Sequence, residues 1–354
     1  MPQVGTNGDD PETYFNNADP VIYALDGNDV IRFVPLELSP GVFPSAYIEG
    51  GRGNDTIFSG SGWDTIYGGD GDDFVDGGAG INFIDGGNGN DVIYSRGQRT
   101  QISLDKRAAG DTVHGGAGDD TIHGIGATTI FGGSGNDTIH GGPITSMIDG
   151  GPGDDIIFGG HAGGVVYGGE DNDTIYGQGA SVLVGGEGSD SYEVTLTHQR
   201  VFETDTFGHS DRFGHDTVFA YVDFTLPSNV EKLVMTYGSQ TYGYGNDEAN
   251  LIFGNASDNV IEGKGGYDTL SGGAGSDLFV VHPNFGVDVI TDFVAGAGTQ
   301  DAVIFSTRLF STFGQVMANS RQVGSDVWIE SGSNTVVLSN VNIGTLHADD
   351  FGFI

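Results

Sequence analysis

Aspartate recurs in this chain at the sixth place of a nine-residue unit whose first, second and fourth places are glycine. Residues 50–58, Gly50-Gly51-Arg52-Gly53-Asn54-Asp55-Thr56-Ile57-Phe58, set the pattern, which returns at 68–76, 86–94, 115–123, 132–140, 150–158 and 185–193. A carboxylate set among backbone carbonyls is a hard-oxygen donor set. Calcium takes about six to eight oxygens at flexible geometry, so two stacked loops of this kind can share one ion. The sixth places fall into two alternating series. One reads Asp55, Asp73, Asp91, Asp120, Asp137, Asp155, Asp173 and Asp190, at steps of 18, 18, 29, 17, 18, 18 and 17 residues. The other reads Asp64, Asn82, Asp111, Thr129, Ser146, Gly164 and Ser181.

The elements that would position these carboxylates follow from the same unit. Glycine reaches left-handed dihedrals and lets backbones approach closely, so six residues can turn and aim carbonyls at one point. The last three places form a short strand whose middle residue points inward. Those residues include Ile57, Ile66, Val75, Ile84, Ile93, Ile122, Ile139, Ile157 and Ile175. Two units make one turn, so loops 18 residues apart lie on the same side. The acidic place is therefore kept on one side and mostly lost on the other, which predicts a one-sided file of calcium ions. Removing a carboxylate in mid-file, such as Asp137, should disturb more than removing Asp111 on the depleted side. The two eight-residue units, 124–131 and 177–184, and the insertion within 95–114 all fall on the depleted side, where no ion constrains the loop. The insertion carries Arg96, Arg99, Lys106 and Arg107 and reads as a solvated loop or a docking point for an acidic neighbour.

Composition agrees. The 354 residues include 64 Gly, no Cys and a formal net charge of −37. Such a balance makes the compact state repel itself until cations neutralise it, and it argues against nucleic acid or an anionic membrane as partner. No run is long and apolar enough to span a bilayer. The start, Met1 to Asp9, lacks the basic and apolar regions of a secretory leader.

Upstream, 24–32 is a degenerate unit that would place Asp29 below Asp55. Downstream, 243–280 is a second block with Asn250, Asn259, Asp268 and Asp277 at the sixth places. The chain thus divides into degenerate first turns and cap (1–49), main roll (50–193), an intervening β-segment of longer strands (194–242), second block (243–280) and a C-terminal β cap (281–354). The metal ligands expected are Asp29, Asp55, Asp64, Asp73, Asp91, Asp120, Asp137, Asp155, Asp173, Asp190, Asp268 and Asp277.

The repeated units, together with Leu226-Pro227-Ser228-Asn229-Val230, Phe285-Gly286-Val287-Asp288-Val289-Ile290-Thr291-Asp292-Phe293 and the ending Asp349-Asp350-Phe351-Gly352-Phe353-Ile354, resemble the RTX (repeats-in-toxin) family of secreted proteins over nearly the whole chain. The resemblance implies an all-β fold, a right-handed parallel β-roll with a C-terminal β cap, binding several Ca²⁺ ions. It also implies type I secretion without a cleaved leader, the tail acting as export signal. Trp328, Ile329, Val336, Val337 and Leu338 are equally suited to closing the open end of the roll.

Catalytic signatures are wanting. None of the nine His residues begins H-E-x-x-H, and there is no G-x-S-x-G. Paired carboxylates such as Asp72/Asp73 are accounted for by the repeat. His123 and His140, at the ninth place of adjacent units, read as a solvent-facing ladder rather than a transition-metal site. Phe58, Tyr94, Phe158 and Tyr176 share that face and suit carbohydrate stacking, packing with another chain or packing against the protein's own segments. The function expected is a non-catalytic, secreted structural or adhesive protein at the cell surface or in a matrix, its partners calcium and either a second copy or an extracellular polysaccharide. The alternatives are a carbohydrate-binding module beside an enzyme and a polysaccharide-active enzyme with an unrecognised site.

Overall fold

Each turn of the chain stacks the same apolar residue on its counterpart one turn below. The computed structural model describes residues 3–11, 13–15 (backbone), 20–35, 37, 43–97, 110–160, 163–203, 214–236, 241–298 and 301–354. It divides into two units, Met1–Asp190 with 204–212, and 191–203 with 213–354.

In the first unit two parallel sheets face each other. One runs from Gln3–Val4 through Val21–Asp26, Tyr47–Arg52, Thr65–Asp70 and onward to Val182–Glu187; the other runs from Thr13–Phe15 through Val30–Phe33 and Thr56–Phe58 to Thr174–Tyr176. In the first sheet Ile22, Ile48, Ile66, Ile84, Val113, Ile130, Ile148, Val166 and Leu183 are in register. In the second, Ile31, Ile57, Val75, Ile93, Ile122, Ile139, Ile157 and Ile175 are in register. All of these side chains are at most 2% exposed. Each contributes about 1.5–3 kcal/mol of burial, and because they alternate with outward residues the register cannot slip by one. This is a parallel β-roll, as the spacing predicts. Strand pairing reaches back to Gln3 and Val4, which pair with Ile22 and Tyr23.

The length irregularities are absorbed where no carboxylate file runs. Asp111 pairs with Ala127 but Thr112 pairs with Thr129, a bulge that takes up the shortened unit. Strand pairing continues across the insertion, Val92 against Thr121. Residues 98–109, with Arg99, Lys106 and Arg107, lie outside the described residues; Arg96 pairs with Asp76 at 2.7 Å.

The loops on the acidic edge require glycine. Gly69 and Gly71 have φ of +126° and +130°. A Cβ on either would fall within 3.0 Å of the backbone of the turn below. Two loops depart from the rule, Leu25 and Asp171 holding φ of +84° and +76°.

Outward residues also stack. On the second sheet, Tyr94, His123, His140, Phe158 and Tyr176 lie 4.5–5.0 Å apart at interplanar angles of 6–17°. Their faces cover one another, leaving edges rather than faces for a sugar. On the first sheet, Tyr23, Tyr47, Tyr67 and Phe83 are tilted by 47–58°. A groove of about 560 Å³ opens there, lined by Tyr47, Tyr67, Glu49, Arg52, Asp70 and Asn88 among others.

The second unit also coils in parallel. Thr217–Ala220, Lys232–Met235, Leu251–Phe253, Thr269–Ser271 and Val287–Ile290 pair in sequence. Thr241–Tyr244, Asn259–Glu262, Leu278–Val281, Ala302–Phe305 and Phe351–Phe353 form its other sheet. The described strands of 194–242 are four residues or fewer, shorter than the resemblance implied. In the first of these sheets the outermost parallel strand, Asn334–Leu338, is joined by an antiparallel arrangement of Asp326–Ser331 and Ser320–Val323. Val327, Ile329, Val336 and Leu338 are buried there.

Candidate metal centre

Along the acidic edge of the first unit, each Asp carboxylate divides its two oxygens between two tasks. Oδ1 accepts the backbone N–H of the sixth residue one turn below: Asp29 to Asp55 at 2.8 Å, Asp55 to Asp73 at 2.7 Å, Asp73 to Asp91 at 2.8 Å, and so through Asp173 to Asp190 at 2.8 Å. The series is unbroken through Asp91, Asp120, Asp137 and Asp155. Oδ2 is turned into the loop. In Asp29, Asp55, Asp73, Asp91, Asp120, Asp137, Asp155 and Asp173 that oxygen is buried and has no protein hydrogen-bond partner.

The surroundings of that oxygen form a cradle. A Cβ placed on Gly68 would collide with both Asp73 Oδ2 and the carbonyl of Gly86; on Gly86, with Asp91 Oδ2 and Gly115 O; on Gly115, with Asp120 Oδ2 and Gly132 O. The first glycine of a unit thus leaves a space bounded by a carboxylate oxygen of its own turn and a carbonyl of the next. These are hard-oxygen donors converging on one point, and they fit calcium.

Three asparagines serve as an internal control. Where Asn82 replaces Asp, its Nδ2 donates to Gly77 O at 2.7 Å. Asn250 Nδ2 reaches Val230 O and Asn246 Oδ1, and Asn259 Nδ2 reaches Thr241 Oγ1. An amide provides its own positive end; a carboxylate in the same place needs one from elsewhere.

The depleted edge behaves differently. Asp64 keeps a buried Oδ2 without a partner, the neighbouring Ser59 hydroxyl donating instead to Gly77 O. Asp111 has both oxygens engaged, by Asn82 N–H at 2.7 Å and by Ser95 Oγ at 2.5 Å. Above it the file gives way to Thr129, Ser146, Gly164 and Ser181. In the second unit a Cβ on Gly263 or Gly272 would likewise meet the Oδ2 of Asp268 or Asp277. Asp190 is fully buried at the top of the first unit's file.

A second ladder escaped the sequence reading. Fifth-place side chains accept the N–H of the fifth residue one turn above: Asn54 from Asp72 at 3.1 Å, Asp72 from Asn90 at 2.9 Å, Asn90 from Asp119 at 2.9 Å, and onward to Asn172 from Ser189 at 2.8 Å. It runs opposite to the sixth-place ladder, so each loop is clipped in both directions. Its signal was present in Asn54, Asp72, Asn90, Asp119, Asn136, Asp154 and Asn172. These are the residues with an acceptor oxygen close to the backbone.

His123 and His140 are parallel at 5.0 Å between Tyr94 and Phe158. Among the described residues no His joins a group of three metal-ligating side chains.

Residues 47–75, 67–102, 108–126, 124–143, 147–161, 164–192 and 244–279 match the family model of the RTX calcium-binding nonapeptide repeat. This is an RTX repeat protein. The RTX chain is also similar to two endo-1,3-1,4-β-glycanases of Rhizobium meliloti. It is 29% identical to EglC and 31% identical to ExsH over 170 residues, 48% of this chain and 34% of each relative. It therefore spans about a third of the length of those relatives. The extracellular lipase LipA from Serratia marcescens aligns with 75% of this chain and 45% of its own at a TM-score of 0.28 and 16% identity. Calcium is the cofactor of the RTX roll.

Burial raises the carboxyl pKa values along the file, and the neighbouring carboxylates raise most of them further: to about 6 at Asp55, about 7 at Asp91, about 8 at Asp120 and about 9 at Asp173. A carboxyl whose folded pKa is raised takes up protons on folding. The metal-free roll is therefore best tolerated at low pH and loses stability as pH climbs through about 6 to 9. Calcium requires the ionised form and competes with those protons. The stability that calcium adds should be larger at pH 8 than at pH 5.5, where protons already occupy the carboxyls, and the chelated chain should hold more β-structure at pH 5.5 than at pH 8. Circular dichroism titrations at the two pH values check both signs.

Substitution separates the two edges. Asp137→Asn should remove about 1.5–3 kcal/mol of calcium-dependent stability, the worth of charge-assisted contacts in mid-file. Asp111→Asn, whose partners are protein groups, should leave the calcium-dependent part unchanged. Melting temperatures across a calcium series read the difference.

Proposed function

We propose that the chain is a secreted, calcium-folded module, non-catalytic in itself, with a structural or adhesive role at the cell surface or in an extracellular matrix. The observation that carries this is the file of buried Asp Oδ2 atoms without protein partners. Without calcium, these carboxylates repel across successive turns and the glycine-rich loops lose their ties. Ion binding is then coupled to folding. Extracellular calcium modules bind at about 10⁻⁴–10⁻³ M, a range that leaves such a chain unfolded in a cytosol and folded outside. The RTX repeats support export by the type I route. Among the described residues no helix is long and apolar enough to cross a membrane. The chain should lose most of its β-structure in EDTA and regain it in millimolar calcium. Undiminished β-structure in chelator would refute the reading.

A second reading makes the roll a polysaccharide-binding module acting beside an enzyme. It draws support from the glycanase relatives and from the groove over Tyr47 and Tyr67, where tilted rings stand with Glu49, Asp70 and Arg52. Affinity electrophoresis in 1,3-1,4-β-glucan should then retard the calcium-loaded chain, and Tyr67→Ala should weaken that retardation roughly tenfold, about 1.4 kcal/mol. Unretarded migration rejects this reading. Release of reducing ends from the glucan would show catalysis instead.

A further inference from the structure

The capping segment contains a loop that follows the course of the ion-binding turns without their sequence. Pro283-Asn284-Phe285-Gly286-Val287-Asp288 shares with Gly263-Lys264-Gly265-Gly266-Tyr267-Asp268 only the fourth-place glycine and the sixth-place aspartate. Yet φ is +70° at Asn284 and +80° at Gly286, matching +70° at Lys264 and +115° at Gly266. Asparagine is among the few residues besides glycine that accept this region at modest cost. Val287 N–H donates to Gly266 O at 3.1 Å and Val289 N–H to Asp268 O at 2.8 Å. The second bond is the one Phe74 and Val92 make to Asp55 and Asp73 in the first unit. Strand register sets Thr269 on Val289 and Leu270 on Ile290, so Asp288 is the next member of the file after Asp268.

The side chains complete the likeness. Asp268 and Asp288 are 1% and 3% exposed. The backbone N–H of Asp268 donates to the Asp288 carboxylate, as each sixth-place N–H does along the first unit's file. That leaves Asp288 Oδ1 and Asp268 Oδ2, both buried and both without a donor. The two carboxyl groups act on each other directly, and as carboxylates both present only acceptors. Buried oxygens so placed need a positive charge or a proton between them. On the other side of Asp268 stands Asn250, whose amide satisfies itself. Asp288 therefore gives Asp268 the second carboxylate that every mid-file Asp of the first unit has.

We infer that Asp268 and Asp288 hold a calcium ion between them, which makes 283–288 an ion-binding turn beyond the nonapeptide repeats, whose match ends at 279. The inference rests on the calcium reading of the first unit's file and extends it into the cap. There the ion fixes the turn onto which the closing strand Asn334–Leu338 is paired through Val287–Ile290.

The test is Asp288→Asn in the full chain. Asn82, Asn250 and Asn259 occupy equivalent places, so the variant is expected to fold, which circular dichroism in calcium verifies. Equilibrium dialysis against millimolar calcium should find one ion fewer per chain than in the unaltered protein. A folded variant with an unchanged ion count would overturn the inference, leaving a shared proton between the two carboxyl groups. If the variant does not fold, the anomalous signal of the unaltered protein crystallised in calcium decides. A peak between Asp268 and Asp288 supports the site. Peaks along the first unit with none here overturn it while sparing the reading of the repeats, and an absence of peaks in both places overturns both.

Discussion

A carboxylate oxygen removed from water must find a donor, a proton or a cation, and along one edge of this chain the fold withholds the first of these turn after turn. Oδ1 of each sixth-place Asp is spent on the backbone of the turn below, and Oδ2 is left facing a carbonyl across a gap kept open by glycine. The isoleucine stacks would form a core in any parallel coil. They do not answer the repulsion of eight stacked Asp side chains from Asp55 to Asp190. On the proposed reading calcium answers it, and so makes a folding liability into a condition for folding.

The same constraint explains why the roll is irregular on one edge only. A loop that would hold an ion must keep its length, its glycines and its carboxylate together, since its carboxylate oxygen faces a carbonyl of the next turn. On the opposite edge Asp111 is satisfied by Ser95 and Asn82, and Thr145 Oγ1 ties Gly142 N and Ala127 O. Protein–protein hydrogen bonds tolerate a bulge at Asp111/Thr112, a shortened unit and a long insertion. The asparagines mark the boundary between the two regimes: Asn82 puts an amide against Gly77 O and carries no charge to be neutralised.

Much of this was legible in the sequence because the repeat maps place onto environment. The sixth place gave the Asp file and the eighth gave Ile57, Ile93 and Ile139 at the core. What stayed hidden falls outside that map. The fifth-place ladder was obscured because Asn and Asp alternate there, so the place reads as variable although both residues offer the same acceptor. The hydrogen bond from Ser95 to Asp111 joins residues on either side of an insertion, and spacing does not bring them together. The tyrosines of the first sheet alternate between outward places of the strand, Tyr47 and Tyr67 for example, and so break any fixed period. The loop at 283–288 lacks the first two glycines. Its likeness lies in dihedrals that Asn284 adopts without them.

The direct measurement is a crystal structure of the full chain grown in millimolar calcium, with data collected where calcium scatters anomalously. In the first unit, peaks should form a single file beside Asp55, Asp73, Asp91, Asp120, Asp137, Asp155 and Asp173, with at most one near Asp64 on the opposite edge. Equal numbers of ions on the two edges, or a file of protonated carboxyl groups with no ions between them, would contradict it.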